Sequence, residues 1–257
     1  MHTISKLTVV LSLVAANWVS PIIAAPFAYI SNQLDDSVSV IDTQSGNVVD
    51  TISVQGKPAG VAASLDGNKV YVSTPEADSF AVIDTKQRKV VAKVKVSEGL
   101  LGITVSPDSQ RIYVADWYNN SVSVIAADSL KIVGKVAVGQ SPSGLMVSPN
   151  NRWLYVANRL DNSVSKIDTR KLVVVKTVTV GEHPFGLTLD TPGDRLYVAN
   201  VKSDDVTVVA STTMKVLATV KVNTLPYATA LALNDSRLFV TNQDDGSVSV
   251  IDTETLK

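Results

Sequence analysis

Six aromatic residues stand at one fixed interval along the chain. Tyr29, Tyr71, Tyr113, Tyr155, Tyr197 and Phe239 each follow the last by 42 positions, and each opens a similar phrase. The phrases read YVADWYNNSVSVIAA from Tyr113, YVANRLDNSVSKIDT from Tyr155, YVANVKSDDVTVVAS from Tyr197 and FVTNQDDGSVSVIDT from Phe239. A fixed period of this length, without insertion, means that one supersecondary unit is stacked on copies of itself. A period of 40–45 residues made of strands points to one four-stranded blade of a β-propeller.

One period shows the four strands. LLGITVS, Leu100 to Ser106, reads as the first, followed by the turn PDSQ, in which Pro107 presets φ. RIYVAD is the second strand, WYNN a loop, SVSVI (Ser121 to Ile125) the third strand, and KIVGKVAV (Lys131 to Val138) the fourth. The apolar residues alternate or run continuously, and helical spacing is missing throughout. Continuous runs such as RIYV suit strands covered on both faces. The alternation of VAKVKV, with Lys93 and Lys95, suits an outer strand whose free edge is protected by charge. Gly60, Gly102, Gly144 and Gly186 recur in the first strand, where blades converge on the axis, and Ala228 stands in their place once.

The combination YVAN…NSVSVIDT…V-VG-P-GL resembles the YVTN β-propeller repeat family of exported and surface-layer bacterial proteins, over Tyr29 to Lys257. The resemblance implies an all-β propeller of four-stranded antiparallel blades. It implies no single chemistry, because propellers carry many unrelated functions. The repeat spans about five and a half periods. Counting pieces gives five first, six second, six third and five fourth strands, 22 in all. The expectation is a six-bladed or incomplete ring with a thin seam. Two alternatives are five closed blades, with Thr229 to Leu233 pairing onto the first three strands, and a truncated member of a larger propeller. Unpaired seam edges would invite self-association.

Ahead of the repeat lies a pattern expected of a signal peptide. MHTISK provides a basic n-region, Leu7 to Val19 an apolar run, and PIIAAP small residues for cleavage after Ala24. Residues 1–24 are therefore expected to be a leader and 25–257 a single propeller domain, periplasmic or extracellular, with no membrane span after cleavage. With no Cys in the chain, packing and strand pairing must supply the stability that secreted proteins often take from disulfides. Twenty-three Lys and Arg against 24 Asp and Glu leave no overall field, so nucleic acid is not indicated.

Catalytic vocabulary is scarce. Without Cys there is no thiolate nucleophile, and His183 is the one His outside the expected leader, so a His-rich metal site cannot be assembled. GxSxG, P-loop and GxGxxG fingerprints are missing. No catalytic residue, metal site or cofactor is expected. The acidic pairs Asp35–Asp36, Asp204–Asp205 and Asp244–Asp245, with Asp161–Asn162, fall in the loop between second and third strands. They read as hairpin turn chemistry, not as calcium ligands. Asp42, Asp84, Asp168 and Asp252, each in an IDT that ends a third strand, read as turn caps, and Asn158, Asn200 and Asn242 close second strands in the same way.

Function is then expected where the repeats disagree. The loops between second and third strands and the inter-blade loops share one face around the channel mouth. That face collects Trp117, Tyr118, Arg159, His183, Phe185 and Tyr227, with Lys57, Glu98 and Glu182 as a rim. Aromatic residues and Arg are the types enriched where proteins bind partners. The leading expectation is a non-enzymatic exported scaffold that binds a protein, peptide or envelope polymer there. The alternatives are a propeller enzyme of lactonase, lyase or quinone-dependent dehydrogenase type, and a self-assembling surface-layer component.

Overall fold

The computed structural model describes residues 27–232 and 234–257; the expected leader lies outside them. Each blade is a meander, each strand paired with the next in antiparallel register. The first sheet has three strands, β1 (Phe27–Asn32), β2 (Ser37–Asp42) and β3 (Val48–Ser53). Four-stranded sheets follow: β4 (Val61–Ala63) to β7 (Lys89–Lys95), then β8 (Leu100–Val105), β9 (Arg111–Asp116), β10 (Ser121–Ala126) and β11 (Ile132–Ala137). The fourth sheet holds β12 (Pro142–Val147), β13 (Trp153–Asn158), β14 (Ser163–Asp168) and β15 (Val173–Thr179). The fifth runs from β16 (Pro184–Leu189) through β17 (Arg195–Asn200) and β18 (Asp205–Ala210) to β19 (Lys215–Lys221). The last again has three: β20 (Pro226–Ala232), β21 (Arg237–Asn242) and β22 (Ser247–Asp252).

The described residues form an all-β six-bladed propeller of 22 strands, the number counted in the repeats. The five-bladed alternative fails: β20, which contains Thr229, pairs with β21 in its own sheet and not with β1–β3. In each complete blade the ladder shifts register at one repeat position of the third strand, as at Val124/Ile125 and Val208/Val209. Such a bulge raises local twist, which fans the blades around an axis.

Blades stack through two chemically different faces. From Tyr29 to Tyr197 the aromatic that opens each phrase points at the following blade: Tyr113, Val122 and Val124, for example, pack against Leu154, Val156 and Ile167. The alternate residues Ile112, Val114 and Ile125 pack back against Tyr71, Phe80 and Val82. Tyr113, Tyr155 and Tyr197 are almost wholly buried. The first strands meet in the order β4, β8, β12, β16, β20 around the axis. A Cβ on Gly60 would sit 2.7 Å from the carbonyl oxygen of Leu101, and one on Gly186 2.6 Å from that of Tyr227. At Gly102 and Gly144 it would overlap the carbonyls of Ser143 and Phe185. The glycines are therefore a steric requirement of one inner strand lying against the next.

The seam between the last and first blades breaks this pattern. Val248 and Val250 are 55% and 51% exposed, whereas their repeat equivalents Val206 and Val208 are buried. Ile30, on the opposing face of the first blade, is 49% exposed, against full burial of Val72 and Val114. Fully burying a Val or Ile is worth about 1.5–3 kcal/mol, so this junction lacks what the other five have. Ala228 is explained by the same geometry. It occupies the glycine position of the blade that has no blade packed beyond it, and it is exposed.

The recurring polar residues are spent on turns. The side-chain oxygens of Asp36, Asn120, Asn162 and Asp204 accept the backbone N–H of Lys57, Ser141, His183 and Leu225 at 2.8–2.9 Å. Each thereby ties the loop after its second strand to the inter-blade turn 21 residues on. Asp42, Asp84, Asp168 and Asp252 each accept the N–H groups two and three residues further along. Asn158 Nδ2 donates to Ser163 and Ser165, and Asn242 Nδ2 to Ser247 and Ser249, which accounts for the N…SVS phrase. The repeated motif is therefore strand, turn, strand and cap.

Candidate functional site at the channel mouth

Two repeat positions build the mouth. The residue after each second strand is Gln33, Pro75, Trp117, Arg159, Val201 and Gln243 in turn. The residue before each inner-strand glycine is Ala59, Leu101, Ser143 and Phe185, and Tyr227 precedes Ala228, which stands in the glycine's place. The backbone fixes the first set: Trp117 N–H donates to Gly99, Arg159 N–H to Ser141, Val201 N–H to His183 and Gln243 N–H to Leu225, each onto an inter-blade turn. The scaffold thus delivers unlike side chains to like places.

Five of the six residues singled out by sequence, Trp117, Tyr118, Arg159, Phe185 and Tyr227, line one cavity of about 260 Å³ at the mouth. Pro75, Gly99, Leu100 and Leu101 complete its wall. Pro75, Leu100 and Leu101 carry no signal in sequence beyond apolarity, and only the ring geometry brings them in. The Phe185 and Tyr227 rings lie 4.1 Å apart between centroids, at 40°. The Arg159 guanidinium sits 5.4 Å from the Trp117 ring centre, a cation–π arrangement. Tyr118 is 71% exposed and lies over Gly99, whose φ of +68° and missing side chain leave the room; a Cβ there would run into the ring.

Arg159 has none of the ion pairs found among the described residues, and its Nε is buried without a hydrogen-bond partner. His183 lies next to this cavity and not in its wall. Burial, then the charges of Arg159 and Lys202, hold its imidazole below the usual histidine range against the opposing pull of Glu182. Of the expected rim, Lys57 pairs with Asp36 at 3.6 Å and Glu182 with Lys202 at 3.3 Å. Neither Lys57, Glu98 nor Glu182 lines the cavity.

Phe185 and Tyr227 also wall a second cavity of about 460 Å³ that runs along the axis. Its other walls come from the inner-strand glycines and from small or neutral residues such as Ser31, Gln33, Ala59 and Ser143. Among the described residues, no carboxylate, imidazole, amine or guanidinium lines it.

Comparison with known proteins agrees with the architecture. The family model described as Lactonase, 7-bladed beta-propeller matches residues 103–232, just over half of the chain. The chain belongs to that family. A second model, YNCE-like beta-propeller, matches residues 19–103. The family description counts seven blades, and the described residues form six sheets. No curated protein matches the sequence. A chain of Kuenenia stuttgartiensis hydrazine synthase superposes with a TM-score of 0.66 at 19% identity, over 91% of this chain and 94% of that one. A functionally unknown protein from Desulfotomaculum acetoxidans superposes with a TM-score of 0.76 at 18% identity, over 89% and 79%. At such identities these structures share the fold with this lactonase-family propeller.

Proposed function

We propose that this chain is an exported, YVTN-type propeller that binds a protein, peptide or envelope polymer through its channel-mouth face, without catalysing a reaction. The observation that carries the reading is the convergence of Trp117, Tyr118, Phe185 and Tyr227 with the unpaired Arg159 at one cavity. Four blades contribute these residues, and nothing in the repeat requires aromatic rings there. Large rings and Arg are the side chains that most often dominate binding energy when a partner covers them. The leader-like pattern of residues 1–24 supports export.

The family's name favours one other reading, hydrolysis of a lactone. Opening a lactone needs a group that activates water or a nucleophile, and the polar groups that the described residues bring to the axial cavity are hydroxyls, an amide and backbone. One preparation tests both readings. Tagged protein lacking the leader is used to capture envelope components beside a Trp117→Ala/Tyr118→Ala double variant, and is assayed against simple lactones. Capture by the native chain that is lost in the variant is expected, with no turnover. Equal capture by both would move the site elsewhere, and lactone turnover would overturn the non-enzymatic reading.

A further inference from the structure

The mouth cavity holds one charge and several flat apolar surfaces, and the charge lacks a counter-ion. Arg159 stacks its guanidinium on Trp117, has no carboxylate in salt-bridge range among the described residues, and keeps a buried Nε without an acceptor there. Buried polar atoms nearly always find a partner, and an exception points to something that completes the site. A guanidinium presents its N–H groups as a planar fork that fits a carboxylate in two-point fashion. Around that fork stand Trp117, Tyr118, Phe185 and Tyr227, with Leu101 beneath. At about 260 Å³ the cavity is at the small end for ligand sites, which usually run ~300–1,000 Å³. It takes one ring and its acid group, not an extended chain.

We infer that the cavity formed by Trp117, Tyr118, Arg159, Phe185 and Tyr227 binds a flat apolar ring bearing a carboxylate. The ring packs among the aromatics, and the carboxylate accepts hydrogen bonds from Arg159. The inference rests on the binding-face reading above and names the chemistry that the face recognises. Such a group reaches the site either as a free aromatic acid or as the C-terminal aromatic residue of a peptide.

The test is calorimetric titration of the purified protein with small probes. Benzoate represents the free acid and N-acetylphenylalanine the peptide end. Benzamide removes the charge, acetate removes the ring, and inorganic phosphate supplies an anion without a ring. Benzoate or N-acetylphenylalanine is expected to bind at least tenfold more tightly than all three controls, and the better of the two identifies the source. Arg159→Gln should weaken that binding about ten- to a hundredfold, the usual worth of a hydrogen-bonded charge. Arg159→Lys should weaken it as well, because an amine keeps the charge and loses the fork. Far-ultraviolet circular dichroism checks that both variants keep the sheet structure. Benzamide, acetate or phosphate binding as well as the aromatic acids would overturn the inference, as would undiminished binding by both Arg159 variants. Should no probe bind while partner capture still depends on Trp117 and Tyr118, the ligand chemistry fails and the binding face stands.

Discussion

Gly60→Ala adds one methyl group where two inner strands meet, and the structure sets its cost. The new Cβ would lie 2.7 Å from Leu101 O, 3.1 Å from Ile103 N and 3.2 Å from Ile103 Cγ2. Two of these three atoms are backbone, so no rotamer change relieves the contact, and β8 must move by roughly half an ångström to restore van der Waals distance. β8 cannot yield easily, because its blade is held between the second and fourth blades by buried apolar faces on both sides, including Leu100 and Leu145. Overpacking of this kind costs about 1–3 kcal/mol, and the upper half of that range is expected where the added Cβ meets backbone that no rotamer change can move. Replacing Gly by Ala lowers unfolded-state entropy and returns about 0.4–1 kcal/mol. The net expectation is a loss of about 2 kcal/mol, or a fall in Tm of about 4–8 °C for a domain of this size. Gly186→Ala makes an equally close contact, 2.6 Å to Tyr227 O, but against the last blade, which has nothing packed behind it. That blade can shift into the seam, so Gly186→Ala should cost less than half as much. Gly46→Ala, with nothing within 4 Å and φ of +70°, isolates the cost of left-handed backbone alone. Urea denaturation followed by circular dichroism measures all three. If Gly60→Ala stays within 0.5 kcal/mol of the native chain, convergence of the inner strands does not explain the glycines. If Gly186→Ala costs as much as Gly60→Ala, the seam is packed and the account of Ala228 fails with it.

Two further outcomes follow from the polar repeat. Asn158 is fully buried, donates to Ser163 and Ser165, and accepts from Gly139 N–H at 3.1 Å; Asn158→Ala strands these groups and should lower unfolding stability by about 1–3 kcal/mol. An unchanged denaturation midpoint would refute the capping role. Asp66 accepts from Ser64 Oγ and from the backbone and side chain of Asn68, which lower its pKa from 3.8 to about 2. A depressed carboxylate contributes stability above its unfolded pKa and loses it as pH falls through the folded one. Asp66→Asn should therefore be less stable than the native chain at neutral pH, with the gap closing between about pH 4 and pH 2. A gap that persists unchanged at pH 2 would show that the carboxylate charge is not its source.

Five residues of the candidate cavity's wall could be named from the sequence. Trp117, Tyr118, Arg159, Phe185 and Tyr227 stood out because each lies where the repeats disagree, and a repeat places equivalent positions in equivalent settings. His183 stood out for the same reason. Its turn holds it by backbone N–H to Asn162, however, and its ring lies outside the cavity wall. Pro75, Leu100 and Leu101 were illegible, because apolar residues in an apolar pattern carry no sign of whether they face a neighbour or an opening.

The sequence by itself determined the blade. Its period, its four strands, the caps at Asp42 and Asn158 and the steric need for glycine are local or nearest-neighbour matters, written once and copied. Tertiary structure alone decided what depends on going round the ring. Whether Val248 meets Ile30, which side chains from four blades share a cavity, and whether Arg159 finds a carboxylate depend on angles summed over blades. No single repeat encodes that sum.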